Sequence, residues 1–82
     1  MPTVLRVGRF RVVIYPNDHR PAPAHVVGPD REAVFALHCP AGPVTVREIY
    51  GCSRPELSRI VEALHESLLR LCEAWRRLHA ID

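Results

Sequence analysis

The sequence predicts an α+β fold in which an antiparallel sheet of short strands packs on one long C-terminal helix. Residues 3–15 and 24–37 alternate apolar and polar side chains, and each segment has a turn sequence near its middle. Residues 53–79 repeat apolar side chains at helical spacings of three and four. Because 82 residues supply material for one hydrophobic core, we expect a single domain over residues 1–82, β-rich over 1–50.

The first segment predicts a β-hairpin in which Gly8 and Arg9 form a two-residue turn. This register puts Arg6 opposite Arg11 and Val4 opposite Val13 on one face. A shift of one residue would mix apolar and charged side chains on both faces, so the sorting favours this register. The other face then carries three pairs that are almost wholly apolar: Thr3 with Ile14, Leu5 with Val12, and Val7 with Phe10.

The second segment predicts another hairpin, with residues 24–27 and 32–37 flanking the turn sequence Gly-Pro-Asp-Arg. A proline-rich stretch over residues 16–23 separates the two hairpins. Residues 44–46 are a candidate fifth, short edge strand. Alternation places five residues on the core face of the second hairpin: Ala24, Val26, Ala33, Phe35 and Leu37.

The helix has the strongest local signals. Ser53 and Glu56 form a capping box, and Pro55 lies in the first turn, where it removes no intrahelical bond. An uninterrupted helix over residues 54–79 would be about 39 Å long, whereas strands of five or six residues span about 17–20 Å. We expect the apolar stripe of this helix to pack mainly in the core. Because the helix is longer than the strands, we also predict self-association, or contact with a partner, through four residues of its C-terminal half: Leu68, Leu71, Trp75 and Leu78.

The composition of the chain excludes few classes of function. The formal net charge of +2 is too small to indicate a nucleic-acid-binding protein, although all eleven basic residues are arginines. The three cysteines, Cys39, Cys52 and Cys72, are odd in number and widely spaced, which is typical of a reducing cytoplasm. We therefore expect a cytoplasmic protein, no disulfide framework, no membrane span, no metal and no cofactor.

A proline-flanked loop is the first candidate site. Asn17, Asp18 and His19, with His25 on the next strand, bring together groups suited to binding an anion or to acid–base chemistry. The same side chains are also ordinary turn formers. His38 is a conceivable third metal ligand, but no short ligand spacing supports a metal site.

The arginines of the first hairpin are the second candidate site. Arg6, Arg9 and Arg11 lie close together, with Tyr15 near them, and like charges opposite each other destabilise a sheet. This indicates an anion, either phosphate or an acidic protein surface. The alternative is a solvated face whose charges are screened. The stripe of aromatic side chains that RNA-binding sheets use does not accompany the arginines.

Several runs of residues resemble a family of small bacterial proteins catalogued as domain of unknown function four-one-six-zero. Its signature is Tyr-Ser-Asn-Asp-His-x-Pro-Pro-His-Val-His-Val, and Pro23 stands here where the family has the first of its paired histidines, so that only His25 is kept. The resemblance implies a protein partner, because the family's genes are described beside a small partner gene, as in toxin–antitoxin modules. The matching residues are 1–10, 15–21, His25-Val26, Gly28-Pro29-Asp30, Gly51, Ser53, Glu56-Leu57 and Trp75.

These observations lead to two functional expectations. The first is a small bacterial binding or regulatory protein that acts through a protein partner, toxin–antitoxin-like or a mobile-element accessory. The alternative is a small nucleic-acid-binding or ribonuclease-like protein that uses the arginines with the loop at residues 17–19. The sequence has no glycine-rich phosphate loop, zinc-protease or serine-hydrolase motif, and it gives no preference for or against an enzyme.

Overall fold

The computed structural model describes residues 3–15 and 23–78, which form one five-stranded antiparallel sheet and two helices. Each strand pairs with the next along the chain, in the order β1-β2-β3-β4-β5. The α+β class and both hairpins are confirmed, and a fifth strand is present over residues 45–50 instead of the predicted 44–46. The elements are β1 (Thr3–Val7), β2 (Phe10–Val13), β3 (Pro23–Val27), β4 (Glu32–Ala36), β5 (Thr45–Tyr50), α1 (Arg54–Glu66) and α2 (Leu68–Leu78).

The first hairpin follows the predicted register except at its open end. Arg6 pairs with Arg11, and Gly8 has a φ of 59°, as the turn with glycine first requires. The register shifts between Thr3 and Leu5, so Thr3 pairs with Val13. The predicted Thr3–Ile14 and Val4–Val13 pairs are therefore wrong, because an irregularity of the bulge type offsets the strand by one residue.

The two helices cover one face of the sheet, and the core lies between these layers. The predicted inner faces are buried there from Phe10 onward, whereas Leu5 and Val7 of β1 are half-buried and Thr3 is exposed. The apolar stripe predicted for the helix contains Leu57 and Val61 but not Ile60; in the structure Ile60 is 1% exposed, whereas Leu57 and Val61 are half-buried. The buried members of the core are Phe10, Val12, Ile14, Ala24, Val26, Ala33, Phe35, Leu37, Val44, Ile60, Leu64, Leu68, Leu71 and Trp75.

The prediction of one continuous helix is wrong. Ser67 separates α1 from α2, with φ of −110° and ψ of 18°. The Ser67 N–H still donates to the Ala63 carbonyl at 3.2 Å, and the Leu71 N–H donates to the Ser67 carbonyl at 2.9 Å. A single non-helical residue thus divides a helix longer than the strands it covers, and Leu64 and Leu68 are buried on either side of it.

The core also takes up most of the side chains for which we predicted self-association. Leu71 is fully buried, Leu68 and Trp75 are nearly so, and Leu78 is half-buried. The large exposed apolar side chain of α2 is instead Leu69, which is 76% exposed. Self-association through α2 stays a prediction, but these four side chains do not form the exposed apolar stripe on which it was based.

A disulfide overturns the interpretation of the cysteines. Cys39, in the loop after β4, is bonded to Cys72 in α2, with a Cα–Cα distance of 5.6 Å. Cys52 is unpaired and half-buried. The odd number and wide spacing were misleading because the two partners are 33 residues apart in sequence and meet only through the fold. Disulfides persist in oxidising surroundings, so the cysteines no longer indicate a reducing compartment.

Neither described helix is long and apolar enough to cross a membrane.

Candidate functional site

The sheet face that points away from the helices, here called the outer face, carries a row of side chains from all five strands. Directly paired residues of antiparallel strands project from the same face, so successive pairings define the row. A second row beside it contains Val13, His25, Val34 and Glu48. The first row runs Arg6, Arg11, Val27, Glu32 and Tyr50.

The charges of the outer face are separated. Arg6 and Arg11 lie at the end formed by β1 and β2, whereas Glu32 and Glu48 lie at the end formed by β4 and β5. Arg6 is exposed and Arg11 is half-buried. Among the described residues neither arginine has an ion-pair partner. Two facing guanidinium groups repel each other, so this end of the sheet is suited to binding an anion.

A packed cluster occupies the middle of the outer face. The Tyr15 ring meets the His25 ring edge to face, with centroids 4.6 Å apart. The His25 Nδ1 lies 3.6 Å from a Glu32 carboxylate oxygen, and the His25 side chain is 20% exposed. Val13 and Val34 are buried in the same row as His25. His25 lies on the face opposite the core residues Ala24 and Val26, as alternation predicts, but it also joins neighbouring strands. Replacing it would therefore disturb packing as well as any binding.

Tyr50 and Glu48 form a hydrogen-bonded pair at the acidic end of the outer face. The Tyr50 hydroxyl donates to Glu48 Oε1 at 3.1 Å. This hydrogen bond, followed by the charge of Glu48, raises the pKa of Tyr50. The phenol is therefore a neutral donor at neutral pH, and it adds no cation that would attract phosphate.

Arg9 does not belong to the outer face, although we predicted it with Arg6 and Arg11. It lies at the β1–β2 turn and lines a cleft of about 260 Å³ between this turn and α1. Arg59 and Glu56 also line the cleft, together with the core side chains Phe10 and Ile60. The predicted arginine cluster is thus divided between two surfaces, and Arg59 is a further basic residue that the sequence analysis missed.

Glu56 connects α1 to the β3–β4 turn. One carboxylate oxygen accepts the Ser53 backbone N–H at 2.8 Å, and the Ser53 hydroxyl accepts the Glu56 N–H at 3.3 Å, which confirms the capping box. The other oxygen accepts an Arg31 guanidinium N–H at 2.6 Å. The backbone hydrogen bond from Ser53 is the largest cause that lowers the pKa of Glu56, and Arg31 lowers it further against the opposing effect of burial.

The lowered pKa of Glu56 predicts a loss of stability in acid. A carboxyl group whose pKa is lower in the folded state stabilises the fold above its unfolded pKa, near 4.3. That contribution is lost as the pH falls through the folded pKa. We expect Glu56→Gln to lower the melting temperature at pH 7 and to have a steadily smaller effect as the pH falls below the unfolded pKa. Thermal unfolding from pH 2 to 7 tests this, with Glu62→Gln, also on α1 but outside the capping box, as the control.

The other predicted site residues are not brought together. Asn17, Asp18 and His19 lie outside the described residues. His38 has a φ of 52° and its Nε2 lies 3.0 Å from Thr45 Oγ1. In the part of the chain that the structure describes, no group of three His, Cys, Asp or Glu side chains is placed to hold a metal ion.

The unpaired Cys52 is a poor candidate for a nucleophile. Burial is the main cause that raises the pKa of this thiol, and Glu56 raises it further, while Arg31 lowers it. The thiol therefore stays protonated at neutral pH, and the thiolate is the reactive form of cysteine.

Glu32, Glu48 and Tyr50 lie on the outer face but were not predicted from the sequence as site residues. Alternation along residues 32–37 does indicate the face of Glu32. A bulge at Arg47 hides the equivalent signal in β5, because it shifts the alternation within the strand.

Comparisons with known proteins gave no match to a family model, to a curated protein or to a solved structure. The resemblance described above therefore rests on the quoted residues alone, and the geometry of the outer face carries the functional argument.

Proposed function

We propose that this protein is a binding module that recognises an acidic segment of a partner protein through Arg6 and Arg11 on the outer face. The observation that carries the proposal is the direct cross-strand pairing of these two arginines, without an ion-pair partner in the described part of the chain. Their mutual repulsion is relieved when carboxylates bind between them. The planar, multiple donors of arginine suit such carboxylates.

The acidic end of the outer face favours a protein over a nucleic acid. Glu32 and Glu48 would repel a phosphate backbone that continued along the sheet, whereas a protein segment can alternate its charges to match. The Tyr15 ring packs edge to face against His25. The exposed tyrosine of the outer face, Tyr50, donates to Glu48 at the acidic end, away from the arginines that would hold a strand over a stacking surface. The nucleic-acid alternative draws its support from Arg9 and Arg59, which extend the basic surface around the β1–β2 turn.

A bacterial regulatory role, toxin–antitoxin-like or as a mobile-element accessory, belongs to this proposal through the resemblance alone. The cysteine count predicted a cytoplasmic location, but the Cys39–Cys72 bond favours an oxidising compartment instead. Binding through the outer face depends on neither of these.

Two defined probes test the proposal: a poly-glutamate peptide and a single-stranded oligonucleotide of equal formal charge, both labelled for fluorescence anisotropy. We expect the double variant Arg6→Ala/Arg11→Ala to raise the Kd for the peptide by about tenfold, because two charge-assisted contacts are lost at a partly exposed site. Arg70→Ala/Arg76→Ala is the matched control, since it removes the same charge from exposed positions on α2.

The two arginine variants separate local recognition from net charge. Equal weakening by both would show that only net charge matters and would contradict the proposal. Tighter binding of the oligonucleotide, with an affinity that falls steeply as salt rises, would support the nucleic-acid alternative instead.

A further inference from the structure

β5 is an edge strand of the sheet. Within residues 3–15 and 23–78 it pairs with β4 alone, and all six of its residues are exposed. Val46 is 42% exposed and Ile49 is 45% exposed, which is high for apolar side chains in a sheet. An edge strand presents backbone N–H and C=O groups that can pair with another strand.

A bulge sets the faces of β5. Val46 pairs with Phe35 and Ile49 pairs with Ala33, so both apolar side chains lie on the face of the sheet that carries the core. The register shifts between the Val34 and Phe35 pairs, which makes Arg47 the extra residue. In a regular strand two residues three apart would point to opposite faces, so the bulge is what aligns Val46 with Ile49. For the same reason Thr45 and Tyr50 share the outer face, since their partners on β4 are Ala36 and Glu32.

The sequence of β5 is complementary to itself when it is reversed. A two-fold axis perpendicular to the sheet, passing between Arg47 and Glu48, would pair Arg47 with Glu48 of a second copy. The same axis would pair Val46 with Ile49 and Thr45 with Tyr50. Such an axis requires that paired residues lie on the same face, and the bulge meets this requirement for Val46 and Ile49 and for Thr45 and Tyr50.

We propose that β5 pairs antiparallel with β5 of a second copy, joining two five-stranded sheets into one sheet of a two-fold symmetric dimer. Each charged side chain at the junction meets an opposite charge, and each exposed apolar side chain meets another, as an interface between identical surfaces requires. This inference goes beyond the proposed function and does not depend on it. The dimer would carry its Arg6–Arg11 ends at the two far edges of the joined sheet.

The same features favour a second copy over an unrelated strand. Charged residues and bulges on an edge strand hinder pairing with foreign strands. A strand without opposite charges in this register would leave Arg47 and Glu48 unmatched, whereas a reversed copy of β5 supplies both. The charge pattern therefore selects a second copy of this chain as the occupant of the edge.

The test is sedimentation equilibrium on the full chain over a wide concentration range, with a non-reducing gel to detect covalent dimers formed through Cys52. We expect the wild type to dimerise and Glu48→Arg to raise the dimer Kd by about tenfold or more, since like charges would then face each other twice. The charge swap Arg47→Glu/Glu48→Arg restores opposite charges and is expected to recover most of the lost affinity. Leu69→Lys is the matched control, because Leu69 is exposed and apolar but lies on α2.

Three results would overturn the proposal. One is a wild type that stays monomeric at every concentration. Another is a charge-swapped protein that dimerises no better than Glu48→Arg while both have wild-type melting temperatures. The third is dissociation by Leu69→Lys, which would move the interface to α2. The Arg6→Ala/Arg11→Ala protein is expected to dimerise normally, so a failure of the proposed function would be separate from a failure of this inference.

Discussion

Removing the disulfide between Cys39 and Cys72 is expected to lower the free energy of unfolding by about 4 kcal/mol. The two cysteines are 33 residues apart, and a cross-link over a loop of this length restricts the unfolded chain by about that free energy in the chain-entropy description. Small domains have total stabilities of about 5–15 kcal/mol, so the loss is a large fraction of the whole. For a domain of this size it corresponds to a fall of about 15–30 °C in the melting temperature.

The loop that contains Cys39 has other attachments that keep it in place without the bond. The Gly42 N–H donates to the His38 carbonyl at 2.7 Å, which closes the turn. The Val44 N–H donates to His65 Nε2 on α1 at 3.0 Å, and Val44 is buried in the core. We therefore expect the protein without the disulfide to fold, at reduced stability, rather than to lose its structure at room temperature.

Thermal unfolding followed by circular dichroism, with and without a reductant, measures this effect. Reductant should bring the wild type down to the melting temperature of Cys39→Ala/Cys72→Ala and should leave that variant unchanged. Cys52→Ala is the matched control, because Cys52 is outside the bond and should retain the response to reductant. A wild type that ignores reductant, with all three thiols free by mass spectrometry, would contradict the expectation.

The parts of the fold that were predicted correctly are those with strong local rules. The Gly8-Arg9 turn and the alternation around it fixed the pairing of Arg6 with Arg11, which the structure confirms. The break at Ser67 had no such signal, because neither glycine nor proline marks it and the hydrogen bonds continue across it. The disulfide could not be predicted, since the approach of Cys39 to Cys72 depends on how α2 packs over the sheet.

The candidate site was predictable to a similar extent. The two facing arginines follow from one hairpin, whereas their alignment with Glu32 and Tyr50 depends on the pairing of β2 with β3 and of β4 with β5. Residues 14–22 separate β2 from β3, and no short turn rule sets the register across so long a connection. Arg9 shows the converse limit: it is close to Arg6 and Arg11 in sequence, but as a turn residue it faces α1.

Two leucines of α2 give the sharpest test of which side chains form the core. Leu71 is fully buried, whereas Leu69, two residues earlier on the same helix, is 76% exposed. We expect Leu71→Ala to lower the free energy of unfolding by about 2–5 kcal/mol, because it removes buried methyl groups and leaves a cavity. Leu69→Ala makes the same chemical change at the surface and should alter stability by no more than about 0.5 kcal/mol.

Urea unfolding of both variants beside the wild type measures the difference, and sedimentation of the same samples shows whether either change affects association. A large loss of stability for Leu71→Ala alone would place the C-terminal apolar stripe in the core of its own chain. Equal effects of the two substitutions would contradict that placement. Unchanged stability together with lost association in Leu71→Ala would instead return Leu71 to an interface, as the length of the predicted helix first suggested.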